Sequence, residues 1–327
     1  MESGNQLIVT PDNRVEIRPF AIPVPRPNQV LIKTTRTLIS AGTELGNQEQ
    51  TRTVDYAPGY SNVDHIVATG SAVKSYSTGD RVLSLAPHAS HVICSTRPED
   101  LRHVPPEITD AVATFGVLGS VAMHGVRKAH IELGEHVLIT GMGLVGQLAL
   151  RLAAQICSEN LIAADLQDRR LERARLGGAT RTINPTINDL NSQIACMTAG
   201  RGVDIVIEAS GYPDVLPAAI QACRVGGRIV LRGSIWHRRV SIDFMDFHLK
   251  ELLLIGCHQP KCPVEPTSTF PWTQQYNRQA ILTMIADGRL DVRDLITHQL
   301  PFAEAHEAYQ MLRDRKGDAI GIILDWA

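Results

Sequence analysis

One glycine-rich turn between two apolar runs limits the fold of this chain more than any other feature. The run Val137–Thr140 leads directly into residues 141–146, with the sequence GMGLVG, and a second run, Leu161–Ala164, ends in Asp165. This order predicts a strand, a turn, a helix and a second strand that ends in an acid. Because all of these parts fall at the spacing of a dinucleotide-binding unit, we expect the segment to bind a dinucleotide.

Each glycine of the turn has a separate predicted role. Gly141 permits the tight turn, Gly143 lets the backbone approach a pyrophosphate, and Gly146 lets the following helix pack close to the strand. The helix would begin at Leu144 and Val145, whose free N–H groups would bind the phosphates. We therefore expect the turn and the helix to hold the anionic centre of the ligand.

Asp165 bears on which dinucleotide is bound. Its carboxylate would accept hydrogen bonds from the ribose 2′-hydroxyl of NAD and would repel the 2′-phosphate of NADP. Arg169 and Arg170 follow closely enough to receive that phosphate instead. NAD is therefore the expected cofactor, with Arg170 as a further contact and NADP as the alternative.

Charge and composition exclude several kinds of partner. The 327 residues contain 32 Lys and Arg against 34 Asp and Glu, with no long run of either sign, so neither nucleic acid nor a membrane is an expected partner. The first residues lack the regions of a signal peptide, and no apolar run approaches the roughly 20 residues of a membrane span. Six scattered cysteines without a CxxC pair suit free thiols in a reducing compartment. We expect a cytoplasmic protein that acts on a small molecule.

The period of the apolar pattern changes along the chain. Residues 7–105 form short alternating apolar runs separated by turn residues such as Gly79-Asp80, which predicts an antiparallel, barrel-like β domain. From about Ala111 the pattern alternates strand with helix, which predicts a doubly wound parallel sheet of the α/β class. A proline-rich loop at 259–271 comes next, and the chain ends with two predicted helices and a closing strand at 319–324.

This order of domains resembles the medium-chain dehydrogenase/reductase family over almost the entire chain. The resemblance is carried by short motifs in family order: Gly79-Asp80-Arg81-Val82, the turn at 141–146, Gly202-Val203-Asp204, Glu208-Ala209-Ser210-Gly211, Gly226-Gly227-Arg228, Ile296-Thr297-His298 and residues 303–309. It implies a GroES-like β-barrel substrate domain at 1–108, a Rossmann dinucleotide-binding domain at 109–260 and a return to the substrate domain at 261–327. It also implies an active site in the cleft between the domains, and a homodimer.

The chain departs from that family at the metal. Zinc-dependent members place ligands at positions that fall here on Ala41, on Tyr60 and on or near Val117, and these side chains do not form a zinc site. The family's four-cysteine structural zinc lobe is also missing after residue 82. Cys257-His258 with Cys262 offers soft ligands, but structural zinc needs four, and a strand end with a loop is the simpler interpretation. We therefore expect no zinc.

Without zinc, another group must move the proton of the reacting alcohol. The resemblance implies that the hydroxyl of Thr43 relays this proton, and that the phenol of Tyr60, at the lost histidine position, points at the same substrate oxygen. An equally good interpretation is that the Tyr60 side chain only fills the volume left by the metal. His237, in a loop after a strand of the nucleotide domain, is a further candidate base, although solvated loop histidines are common.

Loops after the strands supply the remaining predicted contacts. Beyond the glycine turn, the expected cofactor contacts are Ser210, Gly211, Gly233 and Ser234. The expected substrate contacts are Glu44, Trp236, His258 and Gln259, and for Glu44 a position one step behind the substrate is the alternative. Because loops carry specificity, these residues indicate a substrate class and no single substrate.

Two short segments narrow the resemblance. Residues 41–44 (AGTE) and 58–63 (PGYSNV) look like the branch that includes bacteriochlorophyllide hydroxyethyl-group dehydrogenases and polyol- or sugar-dehydrogenase-like proteins. They favour an NAD-dependent interconversion of a secondary alcohol and a ketone by hydride transfer. The alternatives are an NADPH-dependent quinone or enoyl reductase, as in other zinc-free members, and a non-catalytic nucleotide-binding or structural protein.

Overall fold

The chain divides into two compact units. A computed structural model describes residues 3–48, 53–233, 239–314 and 319–327, without the side chains of residues 47 and 48. The first unit comprises residues 1–120 and 263–327, and the second comprises residues 121–262. The first unit is therefore discontinuous in sequence, because the last part of the chain returns to it.

The elements of the first unit are mainly strands, and those of the second unit alternate strand with helix. The first unit begins with β1 (Ser3–Val9), β2 (Val15–Ala21), β3 (Gln29–Leu38), α1 (Ala41–Gln48), β4 (Asn62–Thr69), β5 (Arg81–Ser84), β6 (His91–Ser95), β7 (Leu101–His103) and α2 (Asp110–Ala113). Then come α3 (Phe115–Ala129), β8 (Val137–Thr140), α4 (Leu144–Ala153), β9 (Leu161–Ala164), α5 (Asp168–Leu176), β10 (Arg181–Ile183), α6 (Leu190–Met197), β11 (Val203–Glu208), α7 (Leu216–Ala222), β12 (Cys223–Leu231), α8 (Phe244–Leu249) and β13 (Leu253–Gly256). The return consists of α9 (Gln274–Ala286), β14 (Ile296–Pro301), α10 (Ala305–Arg313) and β15 (Gly321–Asp325).

The first unit is built around a largely antiparallel sheet. Its strands follow the order β14-β15-β3-β4-β5-β7, β6 also pairs with β3, and β1 pairs with β2 in a separate ribbon. Val30 and Ile32 of β3 are fully buried against Ile66 of β4 and Val82 of β5. Alternating apolar residues thus cover one face of the sheet, as the period-2 pattern predicts.

The C-terminal return completes this sheet. The closing strand β15 pairs antiparallel with β3, with Ile323 opposite Leu38, and α10 buries Tyr309 beneath it. The parallel strand β14 was not predicted from the sequence. Its residues are only partly buried, and its sequence ITHQLP lacks a clear apolar alternation, because it lies at the edge of the sheet.

The division between the units lies later in the chain than the expected boundary at 108/109. It falls at 120/121, within α3, and again at 262/263 instead of 260/261. A Cβ atom at Gly119 would lie 2.6 Å from Cγ2 of Ile281, and one at Gly116 would lie 2.6 Å from Cδ2 of Leu83. The start of α3 thus packs closely within the first unit. The helical pattern therefore begins before the point at which the chain enters the second unit.

The second unit is a doubly wound parallel sheet, as predicted. Its strands follow the order β10-β9-β8-β11-β12-β13. Counted from β8, this order is 3-2-1-4-5-6, which is the order of dinucleotide-binding folds. All residues of β8, β9 and β11 are buried, as is typical of parallel strands covered on both faces. Among the described residues, no helix has the length and apolar character needed to cross a membrane.

Candidate functional site

Two of the three glycines in the turn of the second unit stand where a side chain would not fit. Gly141 has a φ of +85°, and a Cβ atom there would lie 2.4 Å from Cα of Ser210. A Cβ atom at Gly146 would lie 1.9 Å from the carbonyl oxygen of Gly141. A turn of this shape at the end of β8, followed closely by α4, therefore requires glycine at both positions.

Gly143 stands on the open side of the same turn. No atom lies within 4 Å of the place where its Cβ would be, and its backbone is extended. Gly143 is also the N-cap of α4 and offers no side-chain cap, so the first amides of the helix, at Leu144 and Val145, face the open side. An anion can approach these amides and the positive end of the helix.

Asp165 follows β9 and is bound to the turn. Its Oδ2 atom accepts a hydrogen bond from the backbone N–H of Met142 at 2.6 Å, and its Oδ1 atom accepts one from Gln167 at 2.9 Å. Nη1 of Arg170 lies 3.8 Å from Oδ2. The carboxylate thus fixes the turn, and its remaining lone pairs are the acceptors that a ribose hydroxyl requires.

The structure brings together predicted cofactor residues from three strand ends. Ser210 and Gly211 follow β11, Gly233 follows β12, and the turn follows β8. A Cβ atom at Gly233 would lie 2.3 Å from the amide nitrogen of Gly211, and Gly141 packs on Ser210. These segments meet beside the point where the strand order reverses, which is the place where open α/β sheets bind ligands.

Glu208, the last residue of β11, holds this group of loops together. Its Oε1 atom accepts hydrogen bonds from the amides of Ser210 at 2.7 Å and Gly211 at 3.1 Å, and also from the Ser210 hydroxyl. The amides of Arg232 and Gly233 donate to its backbone oxygen at 2.8 and 2.7 Å. Burial raises the pKa of this carboxyl above its usual value, although the hydrogen bonds from Ser210 and Gly211 oppose the shift.

In the first unit, three hydroxyl groups form a chain. The phenol of Tyr60 donates to Oγ1 of Thr43 at 3.1 Å and is hydrogen-bonded to Oγ of Ser40. Thr43 lies in α1, Ser40 directly precedes that helix, and Tyr60 comes from the loop before β4. Ser40 is buried, whereas Thr43 and Tyr60 are partly exposed. The chain therefore runs from the surface of the unit toward its interior.

Glu44 lies beneath this hydroxyl chain, with both carboxylate oxygens occupied. It is 2% exposed, and it accepts hydrogen bonds from the backbone N–H of Ser40 at 2.8 Å and from the hydroxyl of Tyr309. Nε2 of the fully buried His88 lies 3.3 Å from its Oε2 atom. Burial acts to raise the pKa of Glu44, but His88 and the hydrogen bonds outweigh it and lower that pKa. The structure thus favours the alternative in which Glu44 stands behind the site over a direct substrate contact.

The zinc positions of the family carry no ligand set here. Ala41 begins α1, Tyr60 belongs to the hydroxyl chain, and Val117 is buried in α3. Among the described residues, no group of three His, Cys, Asp or Glu side chains is placed to hold a metal ion. The groups near Thr43 are neutral hydroxyls and the buried Glu44–His88 pair, whose carboxylate oxygens already accept hydrogen bonds, and this set does not supply the three protein ligands of a catalytic zinc.

Some predicted substrate and cofactor contacts are not decided by the structure. His258 is exposed after β13, and the neighbouring Gln259 has a buried Oε1 atom without a partner among the described residues. Ser234, Trp236 and His237 lie outside the described residues. The predicted roles of all five residues stay predictions.

Four residues of these sites were missed in the sequence. Ser40, His88 and Tyr309 reach the Thr43 region from separate parts of the chain, and no spacing relates them. For Glu208 the sequence does contain a signal of a site residue, because Glu208 ends an apolar strand just before Ser210-Gly211. A charged residue that ends a buried strand is a candidate for this edge of a parallel sheet.

Comparisons with known proteins agree with the fold. A family model described as zinc-binding dehydrogenase matches residues 145–273. L-threonine 3-dehydrogenase of Paraburkholderia xenovorans (strain LB400) is 29% identical over 335 residues, covering 91% of this chain and 92% of that protein. D-guloside 3-dehydrogenase of Escherichia coli (strain K12) is 28% identical over 257 residues, covering 77% of this chain and 72% of that protein.

A solved structure extends the likeness to the whole chain. A protein from Sinorhizobium meliloti 1021, described as a zinc-binding dehydrogenase and solved with NADP, superposes with a TM-score of 0.83 at 19% identity, over 99% of this chain and 100% of that chain. These likenesses support the resemblance to the medium-chain dehydrogenase/reductase family. The chain is an oxidoreductase. The match described as zinc-binding excludes Ala41, Tyr60 and Val117, so it does not bear on a metal at these positions.

Proposed function

We propose that this chain is a zinc-independent, NAD-dependent dehydrogenase that interconverts a secondary alcohol and a ketone. The observation that carries the proposal is the hydroxyl chain of Thr43, Tyr60 and Ser40. The family resemblance implies that Tyr60 stands at a position that holds a zinc ligand in zinc-dependent members. The names of the two relatives describe oxidation of a sugar derivative and of a hydroxy amino acid. A polyol, cyclitol or sugar-like alcohol is the proposed substrate class.

The reaction separates a hydride from a proton. When bound, NAD would supply the acceptor for the hydride that leaves the carbinol carbon as this carbon becomes the carbonyl carbon. Thr43 would accept the hydroxyl proton of the alcohol on Oγ1 while its own hydroxyl hydrogen, turned toward Tyr60 in place of the Tyr60-to-Thr43 hydrogen bond, passes to the phenol oxygen. The partly exposed Tyr60 would release its proton to solvent and keep its hydrogen bond to Ser40. In the reverse direction the same hydroxyl groups return the proton to the alkoxide.

Buried groups keep the hydroxyl chain in place. Glu44 accepts from the backbone N–H of Ser40, and Tyr309 and His88 hold the carboxylate from two other segments. Because Ser40 and Glu44 enclose the first turn of α1, the position of Thr43 follows from that of the carboxylate. Glu44 therefore acts as a positioning residue in the proposed mechanism.

The turn in the second unit supports NAD as the cofactor. Asp165 places a negative charge next to Met142 of the turn, which opposes a 2′-phosphate. One observation favours the second candidate, an NADPH-dependent quinone or enoyl reductase. Arg170 lies 3.8 Å from Asp165, and the NADP-bound neighbour has the same fold. We rank this candidate below the NAD-dependent reaction because two backbone amides, that of Met142 in the turn and that of Gln167, hold the Asp165 carboxylate in place.

We further propose a homodimer formed through β13. This strand lies at one end of the six-stranded sheet, and its Leu253 and Leu254 side chains are 59% and 46% exposed. Pairing of β13 with its copy across a two-fold axis would satisfy the open backbone edge and cover these leucines. We also propose that the protein is cytoplasmic and that its partner is a small-molecule substrate, with no nucleic acid or membrane as partner.

A substrate panel with both cofactors tests the function. The purified chain is offered NAD with cyclic and acyclic polyols, sugars and their glycosides, and NADPH with quinones and enones. We expect NAD reduction with a secondary alcohol, unchanged activity after chelation and less than stoichiometric zinc by elemental analysis. Activity only with NADPH and an activated double bond would select the second candidate. Stoichiometric zinc, with activity lost on chelation, would show that the enzyme depends on zinc.

A further inference from the structure

Glu208 stands at the centre of the predicted cofactor site without a predicted role. It ends β11 and lies in register with Thr140, which ends β8 directly before the glycine turn. Between these two strands the order of the sheet reverses, because the chain runs from β8 to β9 on one side and places β11 on the other. Adjacent strands lie about 4.8 Å apart, so both side chains are close to the switch point of the sheet.

The two oxygens of the Glu208 carboxylate differ in their surroundings. Its Oε1 atom takes the donors of Ser210 and Gly211, whereas its Oε2 atom lies beside Gly233 and has no hydrogen-bond partner among the described residues. The residue is fully buried, and the Oγ1 atom of Thr140, which is 3% exposed, also lacks a partner there. Leaving a buried carboxylate oxygen unpaired costs free energy that an apolar residue would avoid. A function of the charge itself would account for that cost.

The two ends of a dinucleotide can be assigned to the two sides of this sheet. Asp165 follows β9 and marks the adenosine ribose, and the turn after β8 marks the pyrophosphate. The second nucleotide must then extend over the other half of the sheet, which begins with β11. In a nicotinamide cofactor, that second nucleotide carries the ring that is oxidised and reduced. Glu208 thus ends the first strand on the nicotinamide side.

We propose that the negative charge of Glu208 makes the site prefer the oxidised nicotinamide cofactor over the reduced one. NAD⁺ carries a positive charge on its nicotinamide ring and NADH does not, so a nearby carboxylate stabilises only the oxidised form. The inference rests on the proposed function, because it requires a bound dinucleotide. For unit charges about 10 Å apart at an effective dielectric constant of about 20, the expected effect on the ratio of the two affinities is roughly tenfold.

The direction of this effect suits alcohol oxidation. Tighter binding of NAD⁺ than of NADH favours loading of the oxidant and release of the reduced product. A carboxylate that only ordered the Ser210–Gly211 loop would affect both cofactor forms alike, because both share the pyrophosphate and the riboses. The ratio of the two dissociation constants therefore separates an electrostatic role from a structural one.

Binding measurements on the full chain test the inference. Dissociation constants for NAD⁺ and NADH are measured by calorimetry at pH 8 for the wild type, for Glu208→Gln and for the control Thr140→Val. Glutamine keeps an acceptor oxygen for Ser210 and Gly211 and removes the negative charge. Thr140→Val removes a neighbouring buried polar atom and leaves the charge of Glu208 in place. We expect Glu208→Gln to raise the ratio of the NAD⁺ constant to the NADH constant roughly tenfold, and Thr140→Val to leave that ratio unchanged.

Three results would overturn the inference. The first is a ratio that does not change in Glu208→Gln, and the second is an equal ratio change in both variants. If Glu208→Gln does not fold, proton release on cofactor binding to the wild type decides, measured in buffers of different ionisation enthalpy from pH 8 down through the range in which the Glu208 carboxyl takes up its proton. Equal release with NAD⁺ and NADH is the third contrary result, since only NAD⁺ should favour the ionised carboxylate. A wild type that binds neither form contradicts the proposed function as well.

Discussion

Nε2 of His88 lies 3.3 Å from Oε2 of Glu44 in the interior of the first unit, where neither side chain is more than 2% exposed. A buried carboxylate needs such partners, because removal of one partner of a buried ion pair leaves the other charge uncompensated. The pair joins the loop before β6 to the helix that carries Thr43, and Tyr309 adds α10 to the same carboxylate.

Removal of the imidazole should destabilise the first unit strongly. We expect His88→Leu to lower the free energy of unfolding by about 3 kcal/mol, as is usual for one partner of a buried pair. Tyr309→Phe, which removes only one hydrogen bond to the same carboxylate, should cost about 1.5 kcal/mol. Because the pKa of Glu44 is lowered in the folded state, the stability it contributes should be lost as the pH falls through that lowered pKa. Urea unfolding at pH 7 and at lower pH measures both effects, and equal losses for the two variants would contradict this order.

The hydroxyl chain predicts how two conservative substitutions differ. Thr43→Val keeps the shape of the side chain but removes the hydroxyl that would take the substrate proton, so alcohol oxidation should slow by roughly 10²–10⁴-fold. Tyr60→Phe should have a comparable effect if the proton passes through the phenol, and a smaller one if the phenol only orients Thr43. The affinity for NADH, measured by fluorescence, serves as the control and should not change. Near-full rates in both variants would move the search for the base to His237 and His258.

Asp165 should control the choice between NAD and NADP. We expect Asp165→Ala to weaken NADH binding about tenfold, because hydrogen bonds to a charged group contribute about 1.5–3 kcal/mol, and to weaken NADPH binding less or not at all. Loss of the bond to Met142 also loosens the turn, which affects both cofactors. Fluorescence titrations with the two reduced cofactors give the preference ratio, and the exposed Asp214→Asn is the control. An unchanged ratio would show that Asp165 does not face the ribose.

Asp64 predicts a pH dependence of stability that is unrelated to catalysis. It is fully buried in β4, and burial raises its pKa to about 7, although Oγ of Ser84 donates to its Oδ2 atom at 2.6 Å. A raised pKa in the folded state means that its stabilising contribution is complete below the unfolded value and is lost as the pH rises toward 7. Asp64→Asn should therefore raise the melting temperature above pH 7 and flatten its decline between about pH 4 and 7. Scanning calorimetry across this range checks the prediction, and a decline as steep as in the wild type would contradict it.

The edge strand β13 should determine the oligomeric state. We expect Leu254→Lys to convert the proposed dimer into a monomer, because the lysine would place a charge in the interface. Leu133→Lys is the matched control, since Leu133 is 89% exposed and lies outside β13. Light scattering after size exclusion gives the mass of each variant. A wild type that is already monomeric, or a dimer that survives Leu254→Lys, would exclude pairing through this edge.

The fold could be predicted well because its signals are local. Each buried strand of the second unit is a short apolar run, and the glycines at 141 and 146 stand where backbone and neighbouring atoms exclude a side chain. Elements with a weak apolar pattern are harder to predict. Strand β14 was not predicted. The two units divide within α3, after the expected domain boundary at 108/109, because Gly116 and Gly119 pack against Leu83 and Ile281, which are distant in the sequence.

The sequence by itself determined the two kinds of sheet and the glycine turn with Asp165, because these depend on residue type and on spacing along the chain. Only the tertiary structure decided what surrounds Thr43. Ser40, His88 and Tyr309 converge there from segments up to 269 residues apart, counted from residue 40 to residue 309, through contacts that no periodicity records. The same holds for Glu208, whose burial and unpartnered oxygen follow from the packing of three strand ends. Burial and hydrogen-bond pairing are properties of the packed chain, so a polar residue acquires its role only when distant segments meet.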